Sequence, residues 1–241
     1  MNQLALVVMT CAALAVAGCG TTVHPTRGSG TVVSESRNLH GFNAIVIAGV
    51  GTARVTQTGA ESVVVEAEEN LVPLITTTVE NGRLRIGLKS GVSISPTRPI
   101  VYTITVAKLE SADISGSGAF EAGDIKADRF TARISGSGNL AIGHVAATQF
   151  TCEVSGSGNV RVAGQADDVD LGISGSGSIR AADLQCRAAD VTISGSGSAA
   201  VHTTERLTGS ISGSGSLQYR GKPSAVETRV SGSGSVSRIA G

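Results

Sequence analysis

The strongest constraint on this sequence is a pentapeptide that it repeats seven times. Ile-Ser-Gly-Ser-Gly, or the same motif with Val in first place, begins at positions 114, 134, 154, 173, 193, 211 and 230. Successive copies therefore begin 18 to 20 residues apart. A steady step of this size is typical of a solenoid, in which each coil returns to the same place and equivalent residues stack along one axis. A phosphate-binding glycine loop would occur once, so the repeat indicates architecture rather than a nucleotide site.

The residues around the motif form columns that predict an inside and an outside. Side chains alternate between the two faces of a strand, so residues at even distances from the motif's first residue share its face. That face holds the motif's Ile or Val, both of its glycines and two flanking columns, whereas both serines lie on the other face. The flanking columns are Ala112, Ala132, Cys152, Leu171, Val191, Gly209 and Thr228 before the motif, and Phe120, Leu140, Val160, Ile179, Ala199, Leu217 and Val236 after it.

These mostly apolar columns predict that the Ile and glycine face is the interior of the coil. An inward glycine would allow either a close approach of the opposite wall or a bend in the chain, and the sequence leaves both alternatives open. The outward serines would form ladders in which one hydroxyl bonds to the next.

Composition favours an all-β fold with a core of small and branched side chains. Only 2% of the residues are aromatic, and 41% are hydrophobic. We therefore predict a single-stranded parallel β-helix with coils of about 19–20 residues, its strands stacked at a spacing of ~4.8 Å. One outward column carries Asp113, Arg133 and Glu153 in successive coils, an alternation of charge that supports this register. The formal net charge of zero argues against nucleic-acid binding.

The N-terminal residues are typical of an export signal. Residues Leu4 to Val16 are nearly all apolar but too few to span a bilayer, so we assign residues 1–18 to a signal peptide. The run "VAGC", which ends at Cys19, resembles the lipobox of bacterial lipoproteins, and this resemblance implies a lipid on the Cys19 thiol. Secretion with cleavage after Ala17 or Gly18 is the alternative. Residues 19–35 are predicted to be a lipidated tether that holds the protein in the cell envelope, at the outer membrane or surface of a Gram-negative host.

The region between the tether and the repeats is strand-rich but less regular. Its segment from Ile47 to Gly51 aligns with the motif, with both glycines in place. We predict that residues 36–110 form irregular opening coils that cap the solenoid, because an open first coil would expose unpaired strand edges. Residues 111–241 are assigned to the regular coils. Asn81-Gly82 predicts a hairpin turn, and only "ENLVPLITTTVE" has a helical option.

Residues that could perform chemistry are few. Asp170 and Asp190 occupy one column in adjacent coils, which predicts that their strands lie ~4.8 Å apart. Paired carboxylates at this separation can hydrolyse glycosides or bind calcium, although surface aspartates are the commoner explanation. Asp124 and His144 form a second such stack, for which surface pairing is again the commoner explanation.

The two cysteines beyond Cys19 leave one question open. Cys152 and Cys186 could form a disulfide in an exported protein, but their spacing does not show that they meet. The chain has no CxxC motif and its four histidines are scattered, so we predict no metal site and no cofactor.

Three segments together resemble a known family. They are "SRNLHGFNAIVIAGVGTARVTQTG" from Ser36, "VVVEAEENLVPLITTTVENGRLRIG" from Val63, and the repeated "SGSG". The combination is similar to the "putative auto-transporter adhesin, head GIN domain" family, also known as a domain of unknown function, over about residues 36–237. The resemblance implies a right-handed parallel β-helix that is exported and often belongs to a lipoprotein.

Two functions fit these observations. The leading hypothesis is a non-catalytic, adhesin-like binding or structural module, anchored to the membrane by its lipid, with carbohydrate or an envelope protein as its partner. The alternative is a polysaccharide-acting β-helix enzyme, a lyase or glycoside hydrolase, that uses Asp170 and Asp190; it rests on analogy between folds. We expect the protein not to be an enzyme.

Overall fold

The computed structural model describes residues 24–239, which form one stack of parallel β-coils. A 3-10 turn spans Val72–Leu74. The strands in chain order are β1 (Thr26–Arg27), β2 (Val32–Arg37), β3 (Ala44–Gly49), β4 (Thr52–Gln57), β5 (Ser62–Glu68), β6 (Ile75–Glu80), β7 (Arg83–Leu88), β8 (Ile94–Ser95), β9 (Val101–Val106), β10 (Ser111–Gly116), β11 (Ala119–Gly136), β12 (Asn139–Gly156), β13 (Asn159–Gly175), β14 (Ser178–Gly195), β15 (Ser198–Gly213), β16 (Ser216–Arg220), β17 (Ala225–Gly232) and β18 (Ser235–Arg238).

The repeats stack in the predicted register. The long strands β11 to β15 pair in parallel, each with the next, and Ile134 lies beside Val154. Ile173 in turn lies beside both Val154 and Ile193. The predicted all-β parallel solenoid is therefore confirmed.

The interior columns are also where the alternation placed them. The column before the motif is buried from Ala112 to Gly209, and the column after it is buried from Phe120 to Leu217. The aromatic rings of Phe130 and Phe150 stack in adjacent coils, with centroids 6.1 Å apart. Because equivalent side chains of adjacent coils stack on one another, a few large side chains fill the narrow core.

The two glycines of the motif have different roles, which corrects one prediction. Each strand ends at the first glycine, so the motif turns a corner of the coil. Gly136 has a φ of +126°, and a Cβ there would lie 2.6 Å from the carbonyl oxygen of Gly116. The first glycine thus abuts the neighbouring coil and does not face the interior. The second glycine does: a Cβ on Gly138 would lie 2.6 Å from Cγ2 of Ile114. The chain bends at the first glycine, and both glycines lie close to the preceding coil rather than to the opposite wall.

The corner is held by backbone hydrogen bonds rather than by serine hydroxyls. The N–H of Ser137 donates to the Gly116 carbonyl at 2.9 Å, and equivalent bonds recur along the stack. The motif serines are exposed, and within residues 24–239 no hydrogen bond joins two of their hydroxyls. The predicted ladders of motif serines are therefore not formed. Two side-chain pairs occur instead at the outward position directly after the motif, where the Asn159 amide donates to Asn139 and the Ser198 hydroxyl donates to Ser178, both at 3.2 Å.

The outward charge ladder is confirmed. Nε of Arg133 lies 2.9 Å from a Glu153 carboxylate oxygen in the next coil, and its Nη1 lies 3.9 Å from Asp113 in the previous one. Arg83 from the opening region also contacts Asp113. Such exposed pairs contribute little stability, so their main value is as a marker of register.

The opening region stacks in an order that differs from the order of the chain. The coil formed by β3 and β4 lies between a coil formed by β7 and β9 on one side and β10 and the start of β11 on the other. Ile47 accordingly pairs with Ile86 on one edge and with Ile114 on the other, so its alignment with the motif is confirmed. The hairpin β6–β7 turns at Asn81-Gly82 as predicted, with positive φ at both residues, and β5 adds an antiparallel strand to β9.

Part of the predicted tether is structured, which shortens it. Strand β1 pairs with β8, and β2 pairs antiparallel with β5. Tertiary pairing therefore fixes residues 26–27 and 32–35 of the segment 19–35, which the sequence assigns to a tether. The assigned signal peptide and Cys19 lie outside the described residues.

A buried carboxylate fastens this N-terminal segment. Glu68 is fully buried and accepts hydrogen bonds from the Thr97 hydroxyl at 2.5 Å, the Thr97 N–H at 2.8 Å and the Gly30 N–H at 2.7 Å. The Thr97 hydroxyl, helped by these N–H groups, lowers the Glu68 pKa from 4.5 to about 2 because the bonds favour the charged form.

Within the described residues, no helix is long and apolar enough to cross a bilayer.

Candidate functional site

The structure brings the two predicted aspartates together on an open surface. Asp170 pairs with Asp190 in the adjacent strand, and the Gln149 amide donates to Asp170 at 3.2 Å. Neither aspartate lines the grooves described below. In residues 24–239, no cluster of three or more His, Cys, Asp or Glu side chains has a geometry suited to a metal. The pair is adjacent, as predicted, with Asp170 half-buried and Asp190 exposed.

The second predicted pair is similar. Asp124 lies beside His144 in the adjacent strand, and both are exposed at a corner of the coil. Nothing encloses the two side chains, so they offer no sheltered site for proton transfer.

The two cysteines are free thiols in the core. Cys152 and Cys186 are both buried and form no disulfide. Burial raises the pKa of both, that of Cys186 to about 11, because it disfavours the thiolate. They therefore act as small core residues rather than nucleophiles.

A groove that sequence reasoning missed lies where the opening region meets the regular coils. Its volume is about 1180 Å³. Its walls come from the start of β3, the end of β4, the β6–β7 turn, the β9–β10 connection and the outer corners of β11 and β12. We call it the junction groove. Its lining residues lie between positions 43 and 148 and share no motif, so the sequence carries no local signal for it.

Small side chains leave this depression open. Ala127 and Ala147 lie side by side in β11 and β12 and line the groove. Leu109, in the β9–β10 connection, is fully buried and anchors that connection to the core. The result is a concave surface with a floor of alanines and a buried anchor on one side.

An amide side chain fixes the walls. Nε2 of Gln57 donates to the Lys126 carbonyl at 3.1 Å and, at 3.4 Å, to the Ala107 carbonyl. Its Oε1 accepts the Lys126 N–H at 2.9 Å. The Asn43 amide donates to Glu110 at 2.8 Å. These bonds tie the β9–β10 connection to the outer edge of β11, so the groove is preorganised.

The groove carries more positive than negative charge. Its lining has five basic side chains, Arg83, Lys108, Lys126, Arg129 and Arg133, against two acidic ones, Glu110 and Asp128. A second groove of about 550 Å³ is balanced, with Arg54 and Arg161 against Glu121 and Asp183. The whole chain, by contrast, has a formal net charge of zero.

A family model accounts for most of this chain. The family described as "Putative auto-transporter adhesin, head GIN domain" matches residues 41–223. The chain belongs to this family. The match includes both the opening coils and the repeats, so it confirms the resemblance carried by the three sequence segments.

Several solved structures have the same fold. A "putative adhesin" from Bacteroides fragilis superposes with a TM-score of 0.82 at 23% identity, over 88% of this chain and 99% of that one. A "putative lipid binding protein" from Parabacteroides distasonis has a TM-score of 0.77 at 26% identity, over 90% of this chain and 100% of that one. A "putative adhesin" from Parabacteroides merdae has a TM-score of 0.71 at 24% identity, over 89% and 98%. The comparison with curated proteins gives no match.

Proposed function

We propose that this protein is a non-catalytic, adhesin-like module of the cell envelope that binds carbohydrate in the junction groove. The observation that carries the proposal is a fixed, concave, polar surface on an otherwise regular stack. Membership of a family described as adhesins supports a binding role. The adjacent Asp170 and Asp190 lie outside the groove, so the binding surface does not depend on them.

The shape and lining of the groove suit a carbohydrate chain. Small-molecule sites are typically enclosed clefts of about 300–1,000 Å³ lined mainly by apolar groups. The junction groove, at about 1180 Å³, is open and lined by amides, hydroxyls and charged groups, including Asn43, Asn81 and Thr131. An extended polymer can lie along an open groove and exchange hydrogen bonds with these groups. Because Gln57 already fixes the walls, binding requires little ordering of the protein.

The proposal also includes attachment to the envelope through the leader. In this proposal, residues 1–18 direct export and Cys19 carries the lipid. The first strand begins at Thr26, seven residues after Cys19. Seven residues span at most about 25 Å, so the cap end of the stack would lie near the membrane.

The anchor is tested by replacing its thiol. We expect Cys19→Ser to move the protein from the membrane fraction to the soluble envelope fraction, because the lipid attachment point is lost. Cys11→Ser is the matched control, since it changes the same side chain within the assigned signal peptide. Unchanged fractionation of Cys19→Ser would rule out the lipid anchor.

Carbohydrate binding is tested with the chain from Gly20 onward on a glycan array. We expect retention of a defined set of glycans and loss of that retention in Ala147→Leu, which partly fills the groove floor. Ala163→Leu, in the second groove, should bind as the wild type does. The melting temperatures of both variants are measured first, so that binding is compared only between equally stable proteins. Equal binding by both would show that the junction groove is not the site.

A further inference from the structure

We propose that the carbohydrate recognised by the junction groove is an acidic polysaccharide, whose carboxylates contact Lys108, Lys126 and Arg129. This inference rests on the proposed carbohydrate binding and names the chemical class of the ligand. It derives from the arrangement of charges around one side chain, Gln57, and from the residue types that line the groove.

The three cations are not neutralised by neighbouring side chains. Arg83 and Arg133 also line the groove, but both contact Asp113 in the charge ladder. Among the described residues, Lys108, Lys126 and Arg129 have no carboxylate oxygen within 4.0 Å of their charged nitrogens. They are solvent-exposed, and therefore available to an incoming anion.

Gln57 connects the backbone segments that carry Lys108 and Lys126. It bonds to the carbonyl of Ala107, directly before Lys108, and to both the N–H and the carbonyl of Lys126. The two lysines therefore extend from backbone segments that one side chain ties together. Arg129 follows Lys126 by three residues, around the outer corner of the same strand. Fixed backbones place several donors along one groove, which suits a ligand with repeated anionic groups.

The lining also argues against a neutral sugar. Sites for neutral sugars commonly use an aromatic ring as an apolar platform. The residues that line the junction groove include no aromatic side chain, and the phenylalanines Phe42, Phe120, Phe130 and Phe150 are buried. Charge-assisted hydrogen bonds must then supply what stacking does not. A single exposed charge pair is weak, but a polymer presents many carboxylates and gains from multiple attachment.

The experiment compares two polymers that differ only in charge. Polygalacturonate carries a carboxylate on each sugar, and its methyl ester has the same backbone with that charge removed. Binding of the chain from Gly20 onward is measured by affinity electrophoresis and by biolayer interferometry, at low and at moderate salt. We expect tighter binding to polygalacturonate than to the ester, with a difference that shrinks as salt screens the charges.

A matched pair of double variants locates the site. Lys126→Gln/Arg129→Gln should weaken binding to polygalacturonate roughly 2- to 30-fold, the range for two exposed charge pairs. Arg54→Gln/Arg161→Gln removes the same charge from the second groove and should leave binding unchanged. Equal weakening by both double variants would overturn the assignment to the junction groove.

The remaining outcomes separate this inference from the proposed function. Equal affinity for the polymer and its ester would overturn the acidic ligand while carbohydrate binding stands. Binding to neither polymer, nor to any glycan on the array, would overturn carbohydrate binding itself. Vesicles of phosphatidylglycerol and phosphatidylcholine provide a further arm. Capture by these vesicles alone, lost in Lys126→Gln/Arg129→Gln, would replace the polysaccharide with an anionic lipid surface.

Discussion

Replacing Gly195 by Ala should destabilise the stack, although it adds only one methyl group. Gly195 is the first glycine of its motif, with a φ of +116°, where residues with a Cβ are strained. A Cβ there would lie 2.5 Å from the carbonyl oxygen of Gly175 in the previous coil. That oxygen also accepts the N–H of Ser196 at 2.9 Å. The methyl group would therefore displace an atom that holds the corner together.

The expected loss is about 1–5 kcal/mol. The backbone strain costs about 1–3 kcal/mol, and overpacking against a neighbouring coil typically costs another 1–3 kcal/mol. The smaller conformational entropy of unfolded Ala offsets about 0.4–1 kcal/mol of this. Because the same corner recurs in each regular coil, the penalty should be similar at Gly175 and Gly213.

Ser196→Ala is the matched control. Ser196 lies between the two glycines of the same motif and is exposed, so its loss should change stability by no more than about 0.5 kcal/mol. Urea unfolding followed by far-UV circular dichroism measures both variants, with unchanged m-values as the condition for comparing midpoints. If Gly195→Ala unfolds within 0.5 kcal/mol of Ser196→Ala, the close approach between coils does not control stability.

Three further predictions concern acids and thiols. The lowered pKa of Glu68 stabilises the fold above pH 4.5, and this contribution disappears as the pH falls towards 2. Glu68→Gln should therefore have a lower melting temperature than the wild type at pH 7, and its melting temperature should depend less on pH between 4.5 and 2. Parallel plots of melting temperature against pH for the two proteins would contradict this role. Cys152 and Cys186 should resist alkylation at pH 8 in the native protein and react after unfolding in urea, whereas rapid native labelling would show that they are accessible. Asp170→Asn/Asp190→Asn should remain folded and keep the glycan binding of the wild type. Calcium should not raise the melting temperature of the wild type. A calcium-dependent rise in melting temperature that the variant lacks would identify a metal site.

The sequence predicts the regular coils well because each coil repeats the same motif and the same alternation of buried and exposed residues. The step between motifs fixes which residues become neighbours, as the pairing of Ile134 with Val154 shows. Alternation then identifies the interior columns. It fails at Gly136 because it assumes an extended strand through the motif, whereas the chain turns there with a positive φ. The recurrence of glycine at that one position was the available signal for the turn.

The junction groove could not be predicted in this way. Its walls meet because β7 and β9 stack on the far side of β3 and β4, a placement that no local period specifies. The role of Gln57 depends on contacts with Ala107 and Lys126, which lie 50 and 69 residues away along the chain. The pairing of β2 with β5 is missed for the same reason. Long-range pairing, rather than local propensity, decides these features.

The out-of-order stacking of β3 and β4 gives this coil two neighbouring coils that both come from later in the chain. On one side, β10 pairs with β3 across a long stretch of chain, and each later regular coil then joins a predecessor about 20 residues away. On the other side, β7 also pairs with β3 across a stretch of chain longer than one regular step. Coils beyond β12 could therefore be added or removed, each changing the height of the molecule by ~4.8 Å, while the cap and the groove walls on β11 and β12 stay the same. The number of these outer coils therefore sets the height of the stack independently of the shape of the junction groove.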